Sequence, residues 1–210
     1  MDTEQECNLD SDGIPLCRIT EFKLQELNDK IRSIGINGHK AAGGRGSLNP
    51  VIMFIGEALG ENEELQRSPF VGRAGQVLNE VLDLSGLANI RHYITNVVKI
   101  RPLDENGRNR QPRDDEVNFW APYLEQAIEL LHPRFLVGLG AVSTAWLLGW
   151  GRENVYMGKM HGHLEISVYL LAGEPYPNIM PCYHPAATFH RPEVRDLIVQ
   201  DLKQLRSLIK

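Results

Sequence analysis

Long apolar runs are missing from this 210-residue chain. No segment approaches the roughly 18–20 unbroken apolar residues of a membrane span, which excludes a membrane-crossing helix. The opening residues MDTEQECNLDSDG contain neither a basic leader nor an apolar one, so a flexible acidic tail is expected over 1–20 and a cytoplasmic protein with no membrane role. Cysteine is scarce as well. Cys7, Cys17 and Cys182 give neither an even disulfide framework nor a C-x-x-C pair, and the reading is free thiols in a reducing compartment. Positive charge is also in deficit, with a formal net charge of -5. There is thus no general pull toward nucleic acid, and any such contact needs a local basic patch. Lys99, Arg101, Arg108, Arg110 and Arg113 form one candidate.

What is present is a globular composition, 42% hydrophobic and 23% charged, with room for a single domain over 21–210. Apolar residues at helical spacing predict a helix over 21–35, and the Gly- and Asn-rich stretch 36–50 reads as a connector. Strands are then expected at 51–55, 93–98 and 135–140, with helices at 74–87, 113–133 and 141–149 between and after them. Further strands are expected at 163–173 and 178–185, and a closing amphipathic helix at 194–209. Strand–helix alternation predicts a parallel sheet with helices on both faces, a three-layer α/β/α sandwich.

In such sheets ligands bind beyond the carboxyl ends of the strands. That rule brings Glu57, Asn96 and His184 toward one crevice although they are far apart in sequence. The loop GEALGENEE has the glycines of a phosphate cradle but the wrong charge, since Glu57, Glu61, Glu63 and Glu64 repel phosphate. Gly138-Leu139-Gly140 lacks the third glycine of a dinucleotide fingerprint, and no G-x-S-x-G elbow exists for a serine hydrolase. His161 and His163 have no nearby ligand set and read as a loop pair, so no metal is expected. Phe70, in SPFVGRAG, is either a stacking platform for a flat ligand or a core plug. Asn96 offers a donor and an acceptor on one planar amide, suited to the edge of a pyrimidine, or else it forms a turn. In HPAATFHRPE, Arg191 can meet a phosphate and Phe189 can wedge into a base stack.

Taken together, GEALGENE, SPFVGRAG, YITNVVKIRP and the late His-Pro pair resemble the motifs of the uracil-DNA glycosylase superfamily, most nearly its family 4 branch. The resemblance runs from about Val51 to the last helix. It implies a central, mostly parallel four-stranded sheet and a DNA repair hydrolase that flips uracil out of DNA and cuts its N-glycosidic bond. By the same resemblance Glu57 and His184 are catalytic, and Gly56, Ala58, Phe70 and Asn96 hold the uracil. His184 would donate to the O2 oxygen of the departing base, while Glu57 would position water or stabilise the cationic sugar. Lys99, Arg101, Phe189, His190 and Arg191 would contact DNA. The expected partner is uracil-containing DNA, single- or double-stranded, met by a monomer near the nucleoid of a prokaryotic cell. Another deaminated base, hypoxanthine or xanthine, or a catalytically weak damage-binding role, are the alternatives on the same scaffold.

The chain also departs from the family pattern. Family 4 resemblance implies a four-cysteine iron-sulfur cluster, but here Cys7 and Cys17 are widely spaced, the third position is Ile100 and the fourth falls near Trp120. Four ligands are needed and two are absent, so no cofactor is expected. Leu59 stands for the motif proline and Ala186 for a serine, and Thr188-Phe189-His190 replaces Leu-Leu-Arg. Ala58 occupies the place where one branch has a water-activating aspartate. The loop RPLDENGRNRQPRD has no histidine, which points to turnover rather than covalent trapping.

Overall fold

A computed structural model describes residues 16–36, 38–165, 170–171, 174–175 and 178–209. The fold is built on a five-stranded sheet. In chain order its strands are β3 (Arg45–Gly46), β4 (Ile52–Gly56), β5 (His92–Asn96), β6 (Phe135–Leu139) and β9 (Ile179–Cys182), in spatial order β3-β5-β4-β6-β9. The four longer strands are parallel, as expected, and β3 adds a two-residue antiparallel edge. Two small hairpins lie outside the sheet, β1 (Gly35–Ile36) with β2 (His39–Lys40) and β7 (Leu170–Leu171) with β8 (Glu174–Pro175). The helices are α1 (Leu16–Ser33), α2 (Glu61–Gln66), α3 (Arg73–Leu84), α4 (Asp114–Leu131), α5 (Ala141–Leu148), α6 (Met157–Met160) and α7 (Val194–Leu208), with short 3₁₀ turns at Arg152–Asn154 and Pro185–Phe189.

The sheet is apolar on both faces because it is covered on both. Strand alternation sends Met53 and Ile55 of β4 into a core shared with α1, α4 and α5, and Ile52 and Phe54 into a second core shared with α3 and α7. Each fully buried Leu, Ile or Phe contributes about 1.5–3 kcal/mol to holding the layers together. The pairing register has a functional effect. Gly56 sits opposite Asn96 and Leu139 opposite Cys182, so the strands end level with one another and their following residues open onto one edge.

Three expectations need correction. The acidic stretch after β4 is not a loop but helix α2, started by extended Gly60 and ended by Arg67 in the left-handed region. Its first-turn glutamates complement the helix dipole, a role that hides in a sequence where they read as loop carboxylates. Of the strand expected over 163–173, Glu165 makes only an isolated bridge to Ile179, Leu170–Leu171 pairs in a separate hairpin, and 166–169 and 172–173 lie outside the described residues. Helix α1 begins at Leu16, inside the stretch assigned to the tail, and the remainder of that tail lies outside the described residues. No helix among the described residues is long and apolar enough to cross a membrane.

The start of α4 is held by charge. Glu116 accepts two bonds of 2.7 Å from the Arg110 guanidinium and one of 2.8 Å from the Arg113 backbone N–H. The Arg110 hydrogen bonds pull its pKa down to about 2. A carboxylate with a lowered folded-state pKa stabilises above its unfolded pKa, and that stability is lost as pH falls through the folded value. Glu116→Gln is therefore expected to cost about 1–2 kcal/mol at neutral pH. Thermal unfolding from pH 7 down to 2 checks this: the gap in Tm between the two proteins closes over the acidic limb.

Candidate active site

Gly56 has no room for a side chain, because a Cβ there would run into the Asn96 amide oxygen and the Phe70 ring. The three residues therefore form one close-packed unit at the sheet edge. Backbone bonds lock the two strand tips together beyond the ladder, Val97 N–H to Gly56 O and Val98 N–H to Glu57 O, both 3.0 Å. Asn96 is 2% exposed, and its side-chain oxygen is buried with no hydrogen-bond partner. A buried polar atom without a partner costs about 1–3 kcal/mol, and this one belongs to a side chain that lines a cavity.

Phe70, 5% exposed, packs as a core residue under α3 and also borders the cavity. Its φ of 53° is unusual for a residue with a Cβ. Two features hold it there. Arg45 donates to the carbonyls of Pro69 and Phe70 at 2.8 and 3.2 Å, and Gly75 leaves space for the Phe70 carbonyl that any Cβ would fill. On the other side, Glu63 accepts a 2.7 Å bond from the Gly72 N–H and sits where side chains at Gly60 and Gly72 would intrude. The glycines of this region thus accommodate a buried carboxylate and a tight turn, not a phosphate.

His184 follows β9 and opens the 3₁₀ turn. Its Nδ1 accepts from the Ala186 N–H at 3.2 Å, and its ring centroid lies 5.7 Å from that of Phe70. Burial lowers its pKa to about 4, so the ring is neutral at pH 7. With the Nδ1 lone pair used by a backbone donor, the ring proton resides on Nε2. The result is a neutral donor. Gly140, at φ 98°, comes within 3.2 Å of the His184 Cβ at its own missing Cβ position, which lets the histidine reach the sheet edge. Glu57 is half-buried at the next strand tip, and burial raises its pKa against the opposing pull of Arg152.

Glu57, Phe70, Asn96, His184 and Phe189 line one cavity of about 410 Å³, together with Ala58. The remaining expected residues divide. Lys99 is 1% exposed, and its ammonium donates to Thr95 Oγ1 at 2.7 Å and to the Asn96 carbonyl at 2.6 Å. It cannot contact DNA; it is folded back beneath Asn96, a position a basic residue in a string of others does not announce. Arg101 is committed to Asn109 at 2.6 Å and lies near Glu61 and Glu64. With Arg110 and Arg113 also paired to acidic residues, the expected basic patch is largely neutralised, and Arg108 is its exposed member without an ion pair among the described residues. Phe189 is 39% exposed at the cavity mouth, and His190 and Arg191 are exposed beyond it, with Arg191 5.4 Å from the centre of the Tyr183 ring. Arg73 and Asn109 line the same cavity and are not among the expected site residues, while Arg110, a member of the expected basic patch, lines it too. Arg73 lay within the SPFVGRAG motif, so a signal for it existed.

The two histidines near residue 162 separate in role. His161 Nδ1 pairs with the buried Asp201 carboxylate at 3.0 Å, and no group of three or more metal-ligating side chains occurs among the described residues. For an iron-sulfur cluster, the third and fourth positions hold Ile100 and Trp120, buried in the same core as Leu24 and Leu27 of α1. Neither side chain can ligate iron, so these residues do not fit a four-thiolate cluster. Cys182 is buried, Cys7 lies outside the described residues, and α1 carries Cys17.

Residues 44–203 match the family model described as the uracil DNA glycosylase superfamily. The chain is similar to the type-4 uracil-DNA glycosylase of Sulfurisphaera tokodaii, 37% identical over 170 residues, covering 80% of this chain and 74% of that protein. It is similar to the type-4 enzyme of Pyrobaculum aerophilum, 37% identical over 183 residues, with 86% and 90% coverage. The corresponding protein of Saccharolobus solfataricus is 35% identical over 176 residues, with 80% and 76% coverage. A sandwich whose strand tips gather these groups, and sequence matches of this extent, lead to one assignment: the chain belongs to the uracil DNA glycosylase superfamily.

Proposed function

We propose that this protein removes uracil from DNA by hydrolysing the bond between base and deoxyribose, leaving an abasic site. The observation that carries the reading is the buried Asn96 amide oxygen, without a partner among the described residues, on the same cavity as a flat aromatic wall and a neutral imidazole donor. A flipped uracil stacks on Phe70 and offers its N3–H and O4 to the Asn96 amide. Cytosine presents an amino group and a bare N3 there, which leaves buried groups unpaired and costs binding.

As the C1′–N1 bond breaks, its electron pair leaves with the base and negative charge grows on uracil O2. His184 Nε2–H points a neutral donor at that charge, a preorganised contact of the oxyanion-hole kind. Water adds its oxygen to C1′ and its proton ends on the departing base. Ala58 supplies no carboxylate, so Glu57 is assigned to the cationic sugar and the attacking water. The DNA-facing residues in this reading are Phe189, His190 and Arg191. The working unit in this reading is a monomer. We also propose that the enzyme works without an iron-sulfur cluster, with Ile100 and Trp120 packing in its place.

The primary test is incubation with oligonucleotides containing uracil, hypoxanthine or xanthine, followed by alkali. Strand breaks at uracil are expected, and none at any of the three would refute the enzyme reading. His184→Ala is expected to lower the single-turnover rate roughly 100- to 1,000-fold. Asn96→Asp is expected to lose about 2–3 kcal/mol of discrimination for uracil over cytosine, read as the ratio of excision rates on the two bases. Glu57 must be ionised to act, and its pKa is raised above the ordinary 4.5. The rate should therefore fall as pH drops through a value above 4.5, and Glu57→Gln should abolish that limb along with most of the rate. The purified protein is expected to be colourless; a brown protein absorbing in the visible would overturn the cluster-free proposal.

A further inference from the structure

Two arginines that the reaction described above does not use line the cavity, Arg73 and Arg110, and only Arg110 is paired with a carboxylate among the described residues. Arg73 opens helix α3, is exposed, and has no ion pair among the described residues. Its neighbours Arg101, Arg110, Arg113 and Arg152 are each tied to a carboxylate. Arg73 instead places its guanidinium carbon 4.4 Å from the centre of the Phe189 ring, and both residues line the cavity.

This contact joins two separate segments, the start of α3 and the 3₁₀ turn that begins after His184. Helix α3 and that turn pack against each other. Phe189 itself is only partly covered, being 39% exposed. An exposed aromatic ring at a cavity mouth gains orientation from a cation over its face. A guanidinium stacked on a ring keeps its in-plane N–H donors for a further acceptor, and the acceptor that DNA supplies is phosphate. Around it the cavity is lined by Glu57, Glu61 and Glu63, and its other cation, Arg110, is neutralised by Glu116. An unpaired cation is therefore the group that makes this rim tolerable to a polyanion.

We propose that Arg73 is a positioning residue for the wedge: it holds the Phe189 ring over the cavity mouth, where the ring fills the gap left in a duplex by the flipped nucleotide, and offers its free N–H edge to the adjacent phosphate. The proposal rests on the uracil-excision reading, and it makes Arg73 matter most where a base has a partner strand to leave. Single strands have no such gap to fill.

The test measures single-turnover uracil excision from one sequence presented as duplex and as single strand, and reads the ratio of the two rates. Arg73→Ala and Phe189→Ala are each expected to lower that duplex-to-single-strand ratio by about 2- to 5-fold, the span an exposed cation–π contact supports. Because both changes remove one contact, the double variant should be no worse than the worse single. Phe189→Leu keeps an apolar wedge without a ring, so Arg73→Ala in that background should leave the ratio unchanged. Arg73→Lys should keep the salt dependence of DNA binding while losing part of the ratio. Multiplying effects in the double variant, or a ratio that stays constant while both rates fall together, would overturn the wedge-holding role. Absence of uracil release by the unaltered protein from either substrate would instead defeat the excision reading, so the two failures are distinguishable.

Discussion

The structure depends on a near-collision at Gly56. At that point the end of β4, the amide of Asn96 and the ring of Phe70 occupy space that any side chain would claim. Strand register sets Gly56 against Asn96, the turn around Phe70 is forced into an unusual backbone conformation, and Arg45 and Gly75 exist in their positions to keep it there. The site is an outgrowth of sheet geometry: its precision comes from rigid strand ends, the arrangement by which a scaffold can hold reactive groups more exactly than free loops can.

Around that point the polar groups are divided between building and acting. Glu63, Glu64 and Lys99 hold backbone or neighbouring side chains. Glu63 braces Gly72, Glu64 meets His39 at 2.7 Å, and Lys99 lies under the Asn96 carbonyl. Burial lowers the Lys99 pKa to about 7, the cost of keeping an ammonium away from water without a carboxylate beside it. Glu57, Asn96 and His184 face the cavity instead, with a bonding capacity left open. Charge alone does not separate the two groups; what separates them is whether a partner within the protein has already been found.

That distinction explains what could be read from the sequence. The parallel strands were legible because short apolar runs alternate with helical periodicity, and the rule that ligands sit beyond strand ends then selected Glu57, Asn96 and His184. Lys99 misled because a sequence string shows basic neighbours but not the direction of a side chain, and here the stem turns back into the core. The acidic stretch misled because three glutamates in a helix's first turn look the same, as text, as three in a loop. The edge strand β3, two residues long, has no periodicity to detect. Arg73 was visible as a motif letter, but its contact with Phe189 joins segments more than a hundred positions apart, a distance no local pattern spans.

The hydrogen bond from Ala186 N–H to His184 Nδ1 has a consequence for how such a site can change. In a serine protease triad a carboxylate side chain sets the imidazole, so a single substitution can undo it. Here the main chain does that work, and no replacement of the Ala186 side chain short of proline removes the amide. In the excision reading proposed above, the leaving-group donor is therefore insulated from drift at neighbouring positions. On the same proposal, base preference is assigned to the Asn96 side chain on another element, and can vary without dismantling the machinery that releases whichever base is bound.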